Sequence, residues 1–406
     1  MTKTYREIKA EPNEICSACL SRNLQEVIDL PKFPQIAIFA DSPDDADNPP
    51  VDQAMMICAD CGHMQLRDTL DPAFLYNDSF THRTSNSATA SKSNLYFADY
   101  IKKMAGDRRF ERVIEVGCND AFLLRNLLDI CGTASGIDPV WRGKESEFGT
   151  DLEPELRDRV KVVGDFVENV DFDAALGGKP DLVVSSFVFE HIREPRLVLE
   201  RLFEVCDDDA MFVIQVPGTD MLLDNCRFDQ FSHQHYQQFT LDSFIRMIEG
   251  AGGEYLGHDV LYAVWGAIMV AFRKGPGKRC ELDLRRATKE LVSERKERFD
   301  QQIKGCLDAV HAAGARKIYG LGAAQNFPSL AYYMGDVDFL EYIIDDDPAR
   351  QNKYYPGFPV RTSPAEEDVD YGKAAILITA PDYGRVLIGR ANQLGAEQCI
   401  LPVNII

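Results

Sequence analysis

The chain has 406 residues, 44 of them lysine or arginine and 65 aspartate or glutamate, giving a net charge of −21 with histidine neutral. At about 150 residues per domain this length predicts two or three domains, and 45% hydrophobic with 27% charged residues is an ordinary globular balance. A pI near 4.8 argues against nucleic acid or an anionic membrane as the main partner, because phosphate binding needs a basic surface.

The N-terminal stretch MTKTYREIKAEPNE is charged and lacks the apolar core of a signal peptide. The most apolar runs, 181–189 and 259–272, fall short of the about 20 residues that span a bilayer. A cytoplasmic protein is expected. Residues 1–80 show little periodicity and carry Pro12, Pro31, Pro34, Pro43, Pro49, Pro50 and the acidic loop DSPDDADNPP at 41–50. Such a segment struggles to build a core and needs a staple.

Cys16-Ser-Ala-Cys19 and Cys58-Ala-Asp-Cys61-Gly62 supply one. Two residues between thiolates let both sulfurs approach one ion at about 2.3 Å, and two such pairs complete a tetrahedral zinc site. The alternatives are four free buried thiols, or a redox pair that would be expected at a helix start after a strand. Four protein ligands leave no open position, so the predicted Zn2+ is structural. The remaining cysteines, Cys118 included, read as packing residues.

Residues 81–105 are predicted helical. From 111 the apolar runs 112–117, 134–138, 160–164, 181–189 and 211–217 alternate with helix-like segments, the pattern of a parallel doubly wound sheet. An amphipathic helix is expected over 241–250 and a buried hairpin over 260–275. Residues 279–314 are charged and helical, a connector to a second alternating unit at 317–324, 339–348 and 374–382. The predicted fold class is α/β. A zinc-binding head covers 1–80, a central Rossmann-like domain 81–275 and a second Rossmann-like domain 276–406, with only weak similarity between the two α/β units.

Glu115-Val-Gly117-Cys118-Asn119-Asp120-Ala121 follows the first strand of the central unit and precedes the helix-like FLLRNLL. Gly117 permits a tight turn and close approach of a ligand to the backbone. Asp138 ends the next strand about 20 residues on, where a carboxylate accepts ribose hydroxyls. Asp165 and Phe166 end the third strand, an acidic–aromatic pair suited to an adenine. Three strand ends in this order are the footprint of an S-adenosylmethionine site, with Glu115 suited to the donor's amino group. A nicotinamide dinucleotide is the rival, but no GxGxxG occurs; a sheet with no ligand is the other alternative.

Three of the seven histidines fall at neighbouring strand ends. His191 lies in FVFEHIREP after the fourth strand, and His233 and His235 lie in FDQFSHQHY after the fifth. Histidines there can serve as general bases near pH 7. Metal binding by the HxH pair and ordinary packing are the competing readings. His63, His82, His258 and His311 have no supporting pattern. In the last unit, Gly320-Leu-Gly322-Ala-Ala-Gln325-Asn326 follows a strand, and Asp345, Asp346 and Asp347 end the next. This turn reads either as a phosphate-approach loop or as structure alone.

The CxxC…CxxCG head, the EVGCND loop, the HxH segment and the tail GLGAAQN…IIDDDPARQNKYYPG together resemble the nucleotide-sugar C-methyltransferase family, which includes C-3 methyltransferases of branched deoxysugars. The likeness covers nearly the whole chain. It implies a zinc-binding domain, a class I S-adenosylmethionine domain and a C-terminal Rossmann-like domain that helps hold the sugar nucleotide, in a monomer. The implied reaction removes the acidified C-3 proton of a 4-keto sugar and methylates the carbon. By position, His235 matches the second histidine of the family's Tyr-His-Glu-His segment, the candidate base, His233 the first, and His191 the histidine after strand four.

The family's tyrosine and glutamate in that segment are Ser232 and Gln234 here, both expected in the sugar pocket together with Asn326. The usual glycine after Asn-Asp is Ala121, the glutamate expected before Pro217 is Gln215, and the tyrosine-rich stretch reads NDSFTHRTS at 77–85. A polar glycine-rich strand is replaced by 262–267, YAVWGA. These departures leave three alternatives open: another acceptor, methylation of oxygen or nitrogen, or a non-catalytic ligand-binding protein.

Overall fold

The computed structural model describes residues 8–45, 47–75, 83–149, 157–275, 279–364 and 369–405. Its centre is a seven-stranded sheet. In chain order the strands are Phe110–Val116, Cys131–Ile137, Val160–Val163, Leu182–Ser186, Met211–Val216, Gly253–Leu261 and Ala267–Lys274. In space they run third, second, first, fourth, fifth, seventh, sixth. The first five are parallel and the last two form an antiparallel hairpin beside the fifth. This is the class I methyltransferase sheet. Every residue of Met211–Val216 is buried, as an unbroken apolar run in a sheet covered on both faces should be.

The hairpin departs from expectation. Its first strand starts at Gly253 and is only half-buried, and Tyr262 at the tip is 72% exposed. An edge strand has a neighbour on one side only, so its outer face meets water. The helix expected from 81 begins at Ala88, where Ser87 caps it by accepting the Ala90 N–H. The connector helix is Lys289–Ala312, capped by Thr288; the preceding residues run along the head instead, where the Arg286 guanidinium bonds the Ala59 carbonyl.

The head has more regular structure than its sequence suggested. Leu24–Phe33, Val51–Cys58 and Met64–Leu66 form an antiparallel sheet, interrupted by bulges that hide the alternation. Its fourth strand is Gln237–Gln238, supplied by the segment after the HxH motif. The tail is a five-stranded parallel sheet ordered Thr362–Ser363, Leu340–Ile344, Ile318–Leu321, Ala375–Ile378, Gln398–Ile400. Head and tail share one apolar core in which Phe33, Tyr236, Phe299 and Phe327 are buried together. Among the described residues no helix is long and apolar enough to cross a membrane.

Candidate active site and zinc centre

The four cysteines of the head converge. Cys16 Sγ lies 3.6 Å from Cys61 Sγ and Cys19 Sγ 3.6 Å from Cys58 Sγ, with all four within 4.8 Å of one another. Tetrahedral bonds of about 2.3 Å place sulfurs about 3.8 Å apart, so the donor set fits zinc. Both pairs close identically: Leu20 N–H bonds Cys16 O and Gly62 N–H bonds Cys58 O, each at 2.8 Å. Leu20 and Gly62 both take left-handed backbone angles. At position 62 a side chain is also excluded by space, since a Cβ would sit 2.7 Å from the Ala287 carbonyl oxygen. S–H donors from Cys16 and Cys61 make Cys58 strongly acidic, while its hydrogen bond and charge push Cys16 up to about 12. The same neighbours raise Cys61. The Cys58 thiolate therefore suppresses ionisation of Cys16 and Cys61, which a bound cation would relieve.

The donor loop leaves the first strand at Val116. Gly117, Asn119 and Ala121 have φ of 74°, 47° and 57°, a left-handed succession that turns the chain over the strand ends. A Cβ on Gly117 would stand 2.0 Å from Val188, so the loop needs glycine there. Ala121 adopts the left-handed angle for which the resembling family uses glycine. Glu115 is buried with one carboxylate oxygen unpartnered, and Asp120 likewise has one; burial, then the charges of Asp138 and Asp120, raises Glu115 well above the usual range. A buried acid with a spare oxygen suits a cationic amino group. These residues therefore fit S-adenosylmethionine.

Asp138 accepts the Asn119 and Val140 N–H groups at 2.8 and 2.9 Å, so it ties the second strand end to the loop. Burial opposes ionisation of Asp165, but the Phe166 N–H and the Arg142 guanidinium outweigh it and lower its pKa. Arg142 also covers the Phe166 ring at 5.4 Å. The acidic–aromatic pair at the third strand end is thus closed by Arg142, which no local motif singles out.

The histidines separate into a pair and an outlier. His191 and His235 meet edge to face, ring centroids 4.9 Å apart. His191 Nδ1 donates to the Gln234 carbonyl at 2.7 Å, which fixes its tautomer and leaves Nε2 facing Glu190, 3.8 Å from Oε1. Burial holds His191 down at about 4, and burial with His191 nearby holds His235 at about 3. His233 points elsewhere: its Nε2 donates to the Phe33 carbonyl at 3.0 Å, and its ring packs on Phe33. The structure does not bring it to the other two. Ser232 is buried beside it with its hydroxyl unpartnered, and Gln234 is half-buried.

The segment is clamped from both sides. On the head side, Gln237 Oε1 accepts from Ser17 Oγ at 2.6 Å and His63 Nε2 at 2.9 Å, while its Nε2 donates to the carbonyls of Ile192 and Arg193 at 2.9 and 3.0 Å. On the tail side, Ser329 Oγ donates to the Phe231 carbonyl at 2.9 Å, and the buried Arg227 pairs with Asp229 and Asp382 at 2.8 Å. Asn326 stands at the start of the helix Phe327–Met334 that carries Ser329, without a side-chain capping bond. The N–H groups of Gly322, Ala323 and Ala324 are spent on Ile344 O, Asp345 and Gly322 O, which favours the structural reading of that turn. Sequence reasoning missed Glu190, Gln237, His63 and Arg227. Only Glu190 carried a local signal, its place beside His191. His82 and residues 77–82 of NDSFTHRTS lie outside the described residues.

The chain is similar to known methyltransferases. Residues 90–256 match a methyltransferase domain family and residues 16–76 a zinc binding domain family. The chain is 23% identical over 419 aligned residues to the C-methyltransferase NovU of Streptomyces niveus, covering 97% of this chain and 96% of the relative. Among solved structures, the N-methyltransferase NodS of Bradyrhizobium japonicum aligns at 11% identity and TM-score 0.36, covering 49% of this chain and 94% of its own. The 1,6-didemethyltoxoflavin-N1-methyltransferase of Burkholderia thailandensis aligns at 16% and 0.34, covering 47% and 82%.

Proposed function

We propose that this S-adenosylmethionine-dependent methyltransferase with a zinc-binding head methylates a carbon of a nucleotide-linked keto sugar, with His235 as the base. The observation that carries the reading is the His191–His235 pair, seated at the carboxyl edge of the sheet that also bears the donor loop. The full-length likeness to a C-methyltransferase supports it.

Bound S-adenosylmethionine supplies an electrophilic methyl group. Glu115, Gly117, Asn119, Asp120 and Asp138 would hold the donor, and Asp165 and Phe166, covered by Arg142, would face its adenine. His235 is neutral at pH 7 and free to take a proton from the carbon next to the ketone. His191, its tautomer fixed by Gln234, orients that ring. Ser232, Gln234 and Asn326 are the proposed contacts to the sugar nucleotide. His233 supports the segment rather than the chemistry.

The Ser232 and Gln234 departures favour a second reading, the same donor site acting on a different acceptor through oxygen or nitrogen. Incubation with methyl-13C donor and a panel of nucleotide-linked 4-keto sugars separates the two. The proposal expects a +14 Da product (+15 Da with the label) whose labelled methyl is bonded to carbon. A labelled methyl on oxygen or nitrogen rejects it.

A further inference from the structure

Glu190 is 2% exposed, and its Oε2 has no hydrogen-bond partner. Its other oxygen faces His191 Nε2, and Glu190, His191 and His235 each place a ligand atom within 4.8 Å of the others. Its own backbone N–H supports the carboxylate, but burial with no donor for Oε2 still disfavours the charged form. The resembling family places a glutamate directly before its candidate base, and here that position is Gln234. The chain lacks the charge in sequence yet has a carboxyl in space, against the same pair of rings.

We infer that Glu190 is the carboxylate partner of His235, a positioning residue that replaces the charge absent at Gln234. The catalytic half of this inference rests on the C-methylation reading. When His235 takes the substrate proton, the C–H bond breaks, the electron pair stays on the sugar as enolate, and the N–H bond forms an imidazolium. Ionised Glu190 balances that imidazolium across a gap one water can bridge, and so raises the proton affinity of a ring that burial otherwise holds low. Among the described residues, the titratable groups grouped with Glu190 are His191 on its own turn and His235; the strands Met211–Val216 and Gln237–Gln238 pack against that turn and contribute none. Burial pushes Glu190 up to about 8, so its ionised form grows through the slightly alkaline range.

The test follows the imidazole nitrogen resonances of His191 and His235 against pH in the full-length zinc-loaded protein. Wild type should show a step near pH 8 that Glu190→Gln lacks and Glu190→Asp keeps. In parallel, Glu190→Gln should slow exchange of the sugar proton roughly tenfold or more, and adding Gln234→Glu to it should restore most of the rate. Absence of the step in wild type overturns the pairing whatever the acceptor. Unchanged exchange in Glu190→Gln also overturns it, as does a second metal ion per chain that this variant loses, because the three residues would then be a ligand set. A step in wild type with no exchange on any keto sugar supports the pairing and instead removes the acceptor reading.

Discussion

Gln237, two residues after His235, lies opposite Gln65 of the zinc head in an antiparallel pair, and both side chains bond the Ser17 beside Cys16. The zinc centre thus reaches the candidate base through one residue of strand pairing. Three units that look independent along the chain meet on the segment 227–238, and the head is part of the site's framework.

Gln237→Ala should therefore weaken both fold and turnover. It removes four hydrogen bonds, three of them buried, at about 1 kcal/mol each, so a loss of about 3–4 kcal/mol is expected in urea unfolding. Turnover should fall with kcat rather than KM, since the damage is to alignment of His191 and His235.

Removing the zinc should have a larger effect. Cys61→Ser, or chelation of the wild type, takes away a ligand set whose binding is worth about 10–16 kcal/mol in small zinc domains. Metal analysis should give one zinc in wild type and none in the variant, with loss of the head's cooperative melting and of methyl transfer together.

Acid should destabilise the protein through its buried histidines. Burial holds His63, His191 and His233 at about 4 and His235 at about 3, against about 6.5 in the unfolded chain. Between those values the unfolded state binds more protons, so stability rises with pH from 4 to 6.5 and is lost as pH falls. Glu190, raised to about 8, acts oppositely, stabilising below its unfolded value and losing that contribution as pH climbs to 8. His233→Gln retains a donor for the Phe33 carbonyl and should remove about 2 kcal/mol of the acid sensitivity at pH 5, read as a flatter melting-temperature profile.

Gly117 offers a steric test of the donor loop. Gly117→Ala drives a Cβ into Val188 at 2.0 Å and should abolish S-adenosylmethionine binding in calorimetry. Adding Val188→Ala removes the 2.0 Å clash but leaves a tight 3.0 Å contact to the Cβ of residue 188 and the left-handed strain of about 1–2 kcal/mol. The double variant should regain binding at about tenfold or more lower affinity.

Much of this was legible in the residues. The paired CxxC spacing is set by tetrahedral geometry, and the central strands announce themselves as apolar runs because both faces of the sheet are covered. The head's strands were hidden by bulges at Val27 and beyond Leu30, which break the alternation a reader relies on. His233 and His235 are two residues apart in sequence, yet their rings part because one bonds the Phe33 carbonyl of the head and the other faces His191. Gln237 bonds carbonyls more than 40 residues away and Arg227 reaches Asp382, 155 residues on, and no local pattern encodes such partners.

The central claim is that His235 takes a proton from carbon. Nucleotide-linked 4-keto sugars incubated in heavy water, with the methyl donor omitted, should gain deuterium at C-3 with wild type, and His235→Ala should slow that gain by about 10²–10⁴-fold. A methylated product formed without deuterium incorporation, by a His235→Ala variant that remains active, would contradict the account.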